Sequence, residues 1–171
     1  VYYIQTTLDY TQVCWVGDDA EDLELVVWAD ADFAGDPRTQ RSTSASATAI
    51  LGPNTRFFLS AKSQRQTAVS HSTPEAALCS LDGGMKSRGE PALTIWQTLL
   101  APFHEEGWGA RINLHEDNTT AIHGARTGEN PTMQTLERGH GVEIGWINQR
   151  IATGDYNLIH TRTYHMSADI Y

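Results

Sequence analysis

The 171-residue chain has no long apolar run, few cysteines and far fewer cations than anions. Its longest purely apolar stretches are a few residues, so neither a membrane-spanning helix nor a signal-peptide core is expected. Two cysteines, Cys14 and Cys79, are too few for a disulfide framework or a zinc cluster, and a reducing intracellular compartment is the expectation. Internal repeats, low-complexity tracts and long linkers are absent as well, which argues against solenoids and tails. With 40% hydrophobic and 19% charged residues, the chain has the composition of one globular domain large enough to bury a core.

Twelve Lys and Arg face 21 Asp and Glu, a net charge of −9. Taken over the whole chain, that balance speaks against a nucleic-acid binder. Its distribution speaks differently. Residues 1–36 hold nine acids and no Lys or Arg, whereas residues 37–74 hold five cations (Arg38, Arg41, Arg56, Lys62, Arg65) and no acid. Such a block is either a chance fluctuation on a solvated Ser/Thr-rich face or a strip that meets a polyanion.

The element pattern predicts one mixed sheet covered by helices, an α/β domain. Residues 12–16 and 23–30 read as strands around an acidic turn. The stretch 42–51, the Gly52-Pro53-Asn54 turn and 56–61 then extend an antiparallel meander. Ser72-Thr73-Pro74-Glu75 carries the signals of a helix start. Gly83-Gly84 and Gly89-Glu90-Pro91 are expected to break or kink that helix before a second one over 92–100. A strand at 111–115, a helix at 119–127 ended by Gly128, a helix over 135–152, a strand at 156–161 and a helix started by Ser167 complete the prediction.

Four carboxylates stand at element ends: Asp30 after an apolar strand, Glu75 in a first helical turn, Asp117 after a short strand and Asp169 at the last helix. Acids at strand ends and helix starts are common for backbone reasons. Four that converged would instead repel one another and call for hard divalent cations, which as a pair suit in-line displacement at phosphorus.

Several motifs in register, none decisive alone, favour the second reading through a family resemblance. Trp28-Ala29-Asp30-Ala31-Asp32-Phe33-Ala34-Gly35-Asp36 with Arg41-Ser42-Thr43-Ser44 resembles the SDADWAGD…RRSTSG signature of ribonuclease H domains in Ty1/copia-type LTR retrotransposon Pol polyproteins. Ser60-Ala61-Lys62-Ser63-Gln64 and Ser72-Thr73-Pro74-Glu75-Ala76 resemble SSKKQ…SSTEAE, Glu116-Asp117-Asn118 with Ala121-Ile122 resembles CDNQSAI, and Ser167-Ala168-Asp169-Ile170 resembles LADILTK. Arg126 to Met133 with Arg138, His140 and Val142, and Tyr3-Ile4 through Leu8-Asp9-Tyr10, resemble further family segments in the same order.

The resemblance implies an RNase H-like fold with a five-stranded mixed sheet, in which residues 1–22 end the connection from the reverse transcriptase and supply the first hairpin strand. Residues 23–171 would form the single RNase H domain. It further implies hydrolysis of the RNA strand of RNA–DNA hybrids by two Mg²⁺ ions, with Mn²⁺ as a substitute. Asp30 would bridge both ions, Glu75 and Asp117 would hold one, and Asp169 the other. His140 is the implied histidine that moves protons or frees product, with Gly141 standing where the family often has a His or basic residue. Asp32, Asp36 and Glu116 are at best candidates for supporting the four, and each is expected to be a solvated neighbour.

Arg38, Arg41, Lys62 and Arg65 are placed for backbone phosphates, and Ser44, Ser72 and Asn118 for further polar contacts. The implied partners are an RNA–DNA hybrid and the reverse transcriptase of the same polyprotein, with no membrane. The implied location is the cytoplasm, in a virus-like particle, or the nucleus. Two other readings stay open: an RNase H-like domain that only binds nucleic acid or supports a polymerase, and a DNA-directed nuclease or integrase of the same fold.

Overall fold

A computed structural model of the protein describes residues 5–103, 109–129 and 136–170. The Tyr3-Ile4 and Asn130-to-Met133 parts of the family resemblance lie outside these residues. Five strands form one sheet: β1 (Glu24–Asp32), β2 (Thr43–Leu51), β3 (Arg56–Arg65), β4 (Ile112–Glu116) and β5 (Tyr156–His160). Their order is β3-β2-β1-β4-β5, with the first three antiparallel and β1, β4 and β5 mutually parallel. The predicted mixed sheet is therefore the observed one.

β1 is central, and Leu25 to Ala29 are buried on both faces, as its unbroken apolar run requires. One face carries the larger core: Leu25, Val27 and Ala29 with Leu78 and Leu81 of α1 (Thr73–Gly84), Leu93 and Trp96 of α2 (Glu90–Leu100), Ala121 and Ile122 of α3 (Thr119–Thr127), and Ile147. The other face carries Val26, Trp28, Ala45, Ala47 and Ala49 under Met166 and Ala168.

Three expectations are corrected. Residues 12–16 form no strand; Trp15 makes a single bridge to Arg56 and stays largely exposed, because it lies beyond the sheet edge with no core to face. Gly83-Gly84 does not break α1. The helix instead widens into one π-helical stretch, Met85–Gly89, and runs on as α2 with Pro91 in its first turn. Each glycine costs a helix about 1 kcal/mol, and burial of Leu81, Met85 and Leu93 in one core outweighs that. The helix predicted over 135–152 is two, α4 (Leu136–His140) and α5 (Ile144–Ala152). Gly141 between them has φ +68°, which a continuing helix cannot accommodate.

The widened stretch is pinned at its end. Arg150 holds the Glu90 carboxylate through Nε and Nη2 at 2.6–3.0 Å and Asp155 through Nη1 at 2.9 Å, while the Tyr156 hydroxyl donates to Glu90 Oε1 at 2.9 Å. Gly89 passes over Tyr156 so closely that a Cβ would run into the phenol oxygen. This lock sets α2 against α5 and β5.

Candidate active site

The C-terminal end of β1, the β4–α3 turn and the last turn of the chain meet at one end of the sheet. Asp30 is held near there by its neighbours: its main-chain oxygen accepts from the Ser80 hydroxyl of α1 at 2.5 Å, and Ser80 also reaches Ala45 O at 3.0 Å. The Asp30 carboxyl is pushed up to about 7, chiefly by burial, then by a hydrogen bond with the Asp169 carboxyl and the charges of Asp169 and Asp117. Three of the four acids singled out in the sequence are thus electrostatic neighbours.

Asp117 is aimed from two sides. Its Oδ2 accepts the Thr163 hydroxyl at 2.6 Å. Its backbone N–H, like that of Asn118, donates to Glu116 Oε1, at 3.2 and 3.0 Å. Glu116, expected to be a solvated neighbour, is instead fully buried, because it ends β4, an inner strand of the sheet, and its Oε2 has no partner among the described residues. Burial, and after it the charges of Asp117 and Asp30, raise its pKa well above the ordinary carboxylate range. Asn118 caps α3 by accepting from the N–H groups of Thr120 and Ala121, so its side chain has a local role.

Glu75 stands differently. Its Oε2 accepts the His71 N–H at 2.8 Å and its Oε1 lies 3.6 Å from His140 Nε2, with both side chains only 4% exposed. Among the described residues His140 Nε2 is buried without a hydrogen bond. The structure therefore places the expected histidine beside the expected glutamate. Ser72 caps α1 through the Glu75 N–H at 3.3 Å.

Gln66, which carried no motif, organises this corner. Its Nε2 donates to Ser44 Oγ and Ala76 O, both at 2.9 Å, its Oε1 accepts from Ser70 at 2.7 Å, and its N–H reaches Ser42 O at 2.8 Å. A buried amide with every group satisfied fixes the first turn of α1, and with it Glu75, against β2. Beside it runs a groove of about 210 Å³ lined by Ser44, Lys62, Gln64, Arg65, Thr67 and His140 among others. Arg65 is tied to Asp36 at 3.0 Å, leaving Lys62 the freer cation of the two. Arg38 and Arg41 are exposed on the turn after β1 and do not line the groove. Cys79 lines it, but burial and the Glu75 charge push its thiol up to about 12, so it is no nucleophile.

The donor set of Asp30, Asp117 and Asp169 is all oxygen, partly desolvated and mutually repulsive, which is the chemistry that a hard divalent cation relieves. Among the described residues no three acidic, imidazole or thiol groups are drawn close enough to enclose an ion. The residues fit a divalent metal in their chemistry, and the described side chains are not closed to ligand distance.

No family model and no curated protein matches the chain. Solved structures do. An N-terminal RNase H domain from Mycobacterium tuberculosis, solved as a fusion with maltose-binding protein, is similar at TM-score 0.54 and 10% identity, over 85% of this chain and 92% of that one. The chain carries the RNase H fold. The PFV RNase H domain is similar at TM-score 0.53 and 13% identity, over 83% and 81% of the two chains. LC11-RNase H1, isolated from compost by a metagenomic approach, is similar at TM-score 0.50 and 12% identity, over 86% and 91%. On this RNase H fold the acids from β1, the β4–α3 turn and the final turn gather at one end of the sheet.

Proposed function

We propose that the chain is a divalent-metal-dependent ribonuclease that hydrolyses the RNA strand of RNA–DNA hybrids, as the RNase H part of a Ty1/copia-type retrotransposon reverse transcriptase in a virus-like particle. The observation that carries the reading is the meeting of Asp30, Asp117 and Asp169 at one end of the sheet on this fold, where burial and the two neighbouring carboxyls push the Asp30 carboxyl up. Asp30, Glu75, Asp117 and Asp169 would hold two Mg²⁺, or Mn²⁺ in their place. The bound ions would polarise the phosphoryl oxygens and lower the pKa of the attacking water.

The chain's own groups have separate tasks. Asp30 and Asp169 would offer carboxylate oxygens to a bound cation. Thr163 and Glu116 hold Asp117 in place beside them. His140 Nε2 stands 3.6 Å from Glu75 Oε1, within reach of that carboxylate, and His140 lines the groove. Lys62, Arg38 and Arg41 contribute the cationic surface for the phosphate backbone.

A second reading, a domain that binds hybrid without cutting it, is favoured by one feature: Glu75 faces His140 and the acids do not enclose an ion. The two separate in one assay. Wild type and Asp117→Asn are incubated with RNA–DNA hybrid, duplex DNA and duplex RNA, in Mg²⁺ and in EDTA. Hybrid-only cleavage that needs Mg²⁺ and Asp117 supports the ribonuclease. Binding without cleavage supports the second reading, and cleavage of duplex DNA contradicts both.

A further inference from the structure

The segment from the end of β5 to the turn bearing Asp169 is built as a rigid platform with an aromatic ring left in water. Two tight turns fold it: the His165 N–H donates to Arg162 O at 2.8 Å and the Met166 N–H to Thr163 O at 2.9 Å. Met166 anchors it in the second core, Thr161 N–H donates to Glu116 O at 2.9 Å, and the Thr163 hydroxyl donates to Asp117 at 2.6 Å. Tyr164, at the crest, is 70% exposed.

A single exposed ring needs no explanation by itself. Its surroundings do. The Arg162 guanidinium lies 6.0 Å from the Tyr164 ring centroid and donates through Nη1 to the phenol oxygen at 2.9 Å, and the His165 ring stands 4.3 Å away, tilted by 50°. The stretch His160-Thr161-Arg162-Thr163-Tyr164-His165 contains no acid in a chain of net charge −9. It lies one hydrogen bond from Asp117. A pre-oriented ring flanked by a guanidinium and an imidazole suits a ligand that is apolar on one side and anionic on the other.

We propose that this platform grips the nucleic-acid strand beside the Asp30–Asp117–Asp169 corner, with Tyr164 packing against a backbone sugar and Arg162 and His165 meeting the adjoining phosphates. It rests on the nucleic-acid reading above and adds the contact that places the strand there. Contacts to sugar and phosphate fix register without reading the bases, so the platform adds affinity without base preference.

The test measures affinity of the full chain for a fluorescently labelled RNA–DNA hybrid in EDTA, where hydrolysis is stopped, alongside KM in Mg²⁺. Tyr164→Ala weakens binding about tenfold and the loss falls on KM. Tyr164→Phe, which keeps the ring, stays within about twofold of wild type. Arg162→Ala lowers the salt slope of binding by about one. Equal affinity of Tyr164→Ala and wild type, or a Tyr164→Phe as weak as Tyr164→Ala, overturns the platform. So does a poly-glutamate peptide whose binding shows the same dependence on Tyr164, which would assign the surface to acidic proteins. Cleavage of hybrid with Tyr164-independent affinity defeats this inference alone. Tyr164-dependent binding without cleavage defeats the ribonuclease reading and leaves the platform standing.

Discussion

Asp30, at the end of the central strand, stands beside Asp169 of the final turn, and burial together with that neighbouring carboxyl pushes the Asp30 carboxyl up to about 7. Burial among carboxylates favours the neutral form of Asp30 and a bound cation would favour the charged one, so the corner is poised between the two.

That poise has a consequence for stability. The folded-state value of Asp30 is about 7, above the unfolded value of about 3.9. The folded chain therefore binds this proton more tightly than the unfolded chain does. The resulting stability is complete below pH 4, falls as pH rises toward 7, and is gone above it. In EDTA at pH 8, Asp30→Asn should melt about 2–6 °C higher than wild type, corresponding to about 1–2 kcal/mol after solvent screening of a half-exposed group. The gap should close at pH 4, and Mg²⁺ at pH 8 should raise wild type more than the variant. Thermal melts at the two pH values check this, and a pH-independent gap would contradict it.

Glu116 is the least exposed acid near the corner and holds the Asp117 and Asn118 N–H groups with one oxygen. Glu116→Ala leaves both donors without that acceptor and should cost about 2 kcal/mol. It should also weaken Mn²⁺ binding measured by calorimetry. Glu116→Gln keeps an acceptor oxygen in place and should bind Mn²⁺ like wild type. Equal loss in the two variants would mean that the negative charge, not the hydrogen bonds, is what the site requires.

The close approach of Gly89 to Tyr156 can be probed by a pair of substitutions. Gly89→Ala should destabilise the protein by about 2–3 kcal/mol through overpacking. Tyr156→Phe removes the oxygen that the new methyl meets, so the double variant should be more stable than the two single losses predict. Denaturant melts of all four proteins measure the coupling. Additive losses would show that α2 shifts freely and that the Arg150–Glu90 lock does not hold it.

The cations of the basic block should differ in value. Lys62→Ala should lower the salt slope of hybrid binding by about one. Arg65→Ala should lower it less, because Asp36 already holds that guanidinium. Filter binding across a salt series distinguishes the two, and an unchanged slope for Lys62→Ala would remove the groove from the interface.

The features legible in the sequence are those decided by near neighbours along the chain. The apolar run of β1, the Ser72 cap with Pro74 behind it, and Gly128 at φ +74° are each set by contacts within a few residues, and each appears where expected. The same holds for the mixed sheet, since short loops make antiparallel neighbours and helical crossovers make parallel ones. Helix continuity across Gly83-Gly84 was not legible, because it depends on burial against β1 rather than on propensity. The missing strand over 12–16 reflects the same dependence in reverse, an apolar stretch with nothing to bury against.

The sequence by itself determined which acids stand at element ends and where the cations cluster, because residue identity and periodicity suffice for both. Only the tertiary structure decided which of those acids meet. It pairs Asp30 with Asp169 and brings Asp117 beside them, turns Glu75 toward His140, and buries Glu116 behind Asp117. Each of these depends on the distance between side chains carried by different elements, and on burial that makes their charges felt. Spacing along the chain does not encode either.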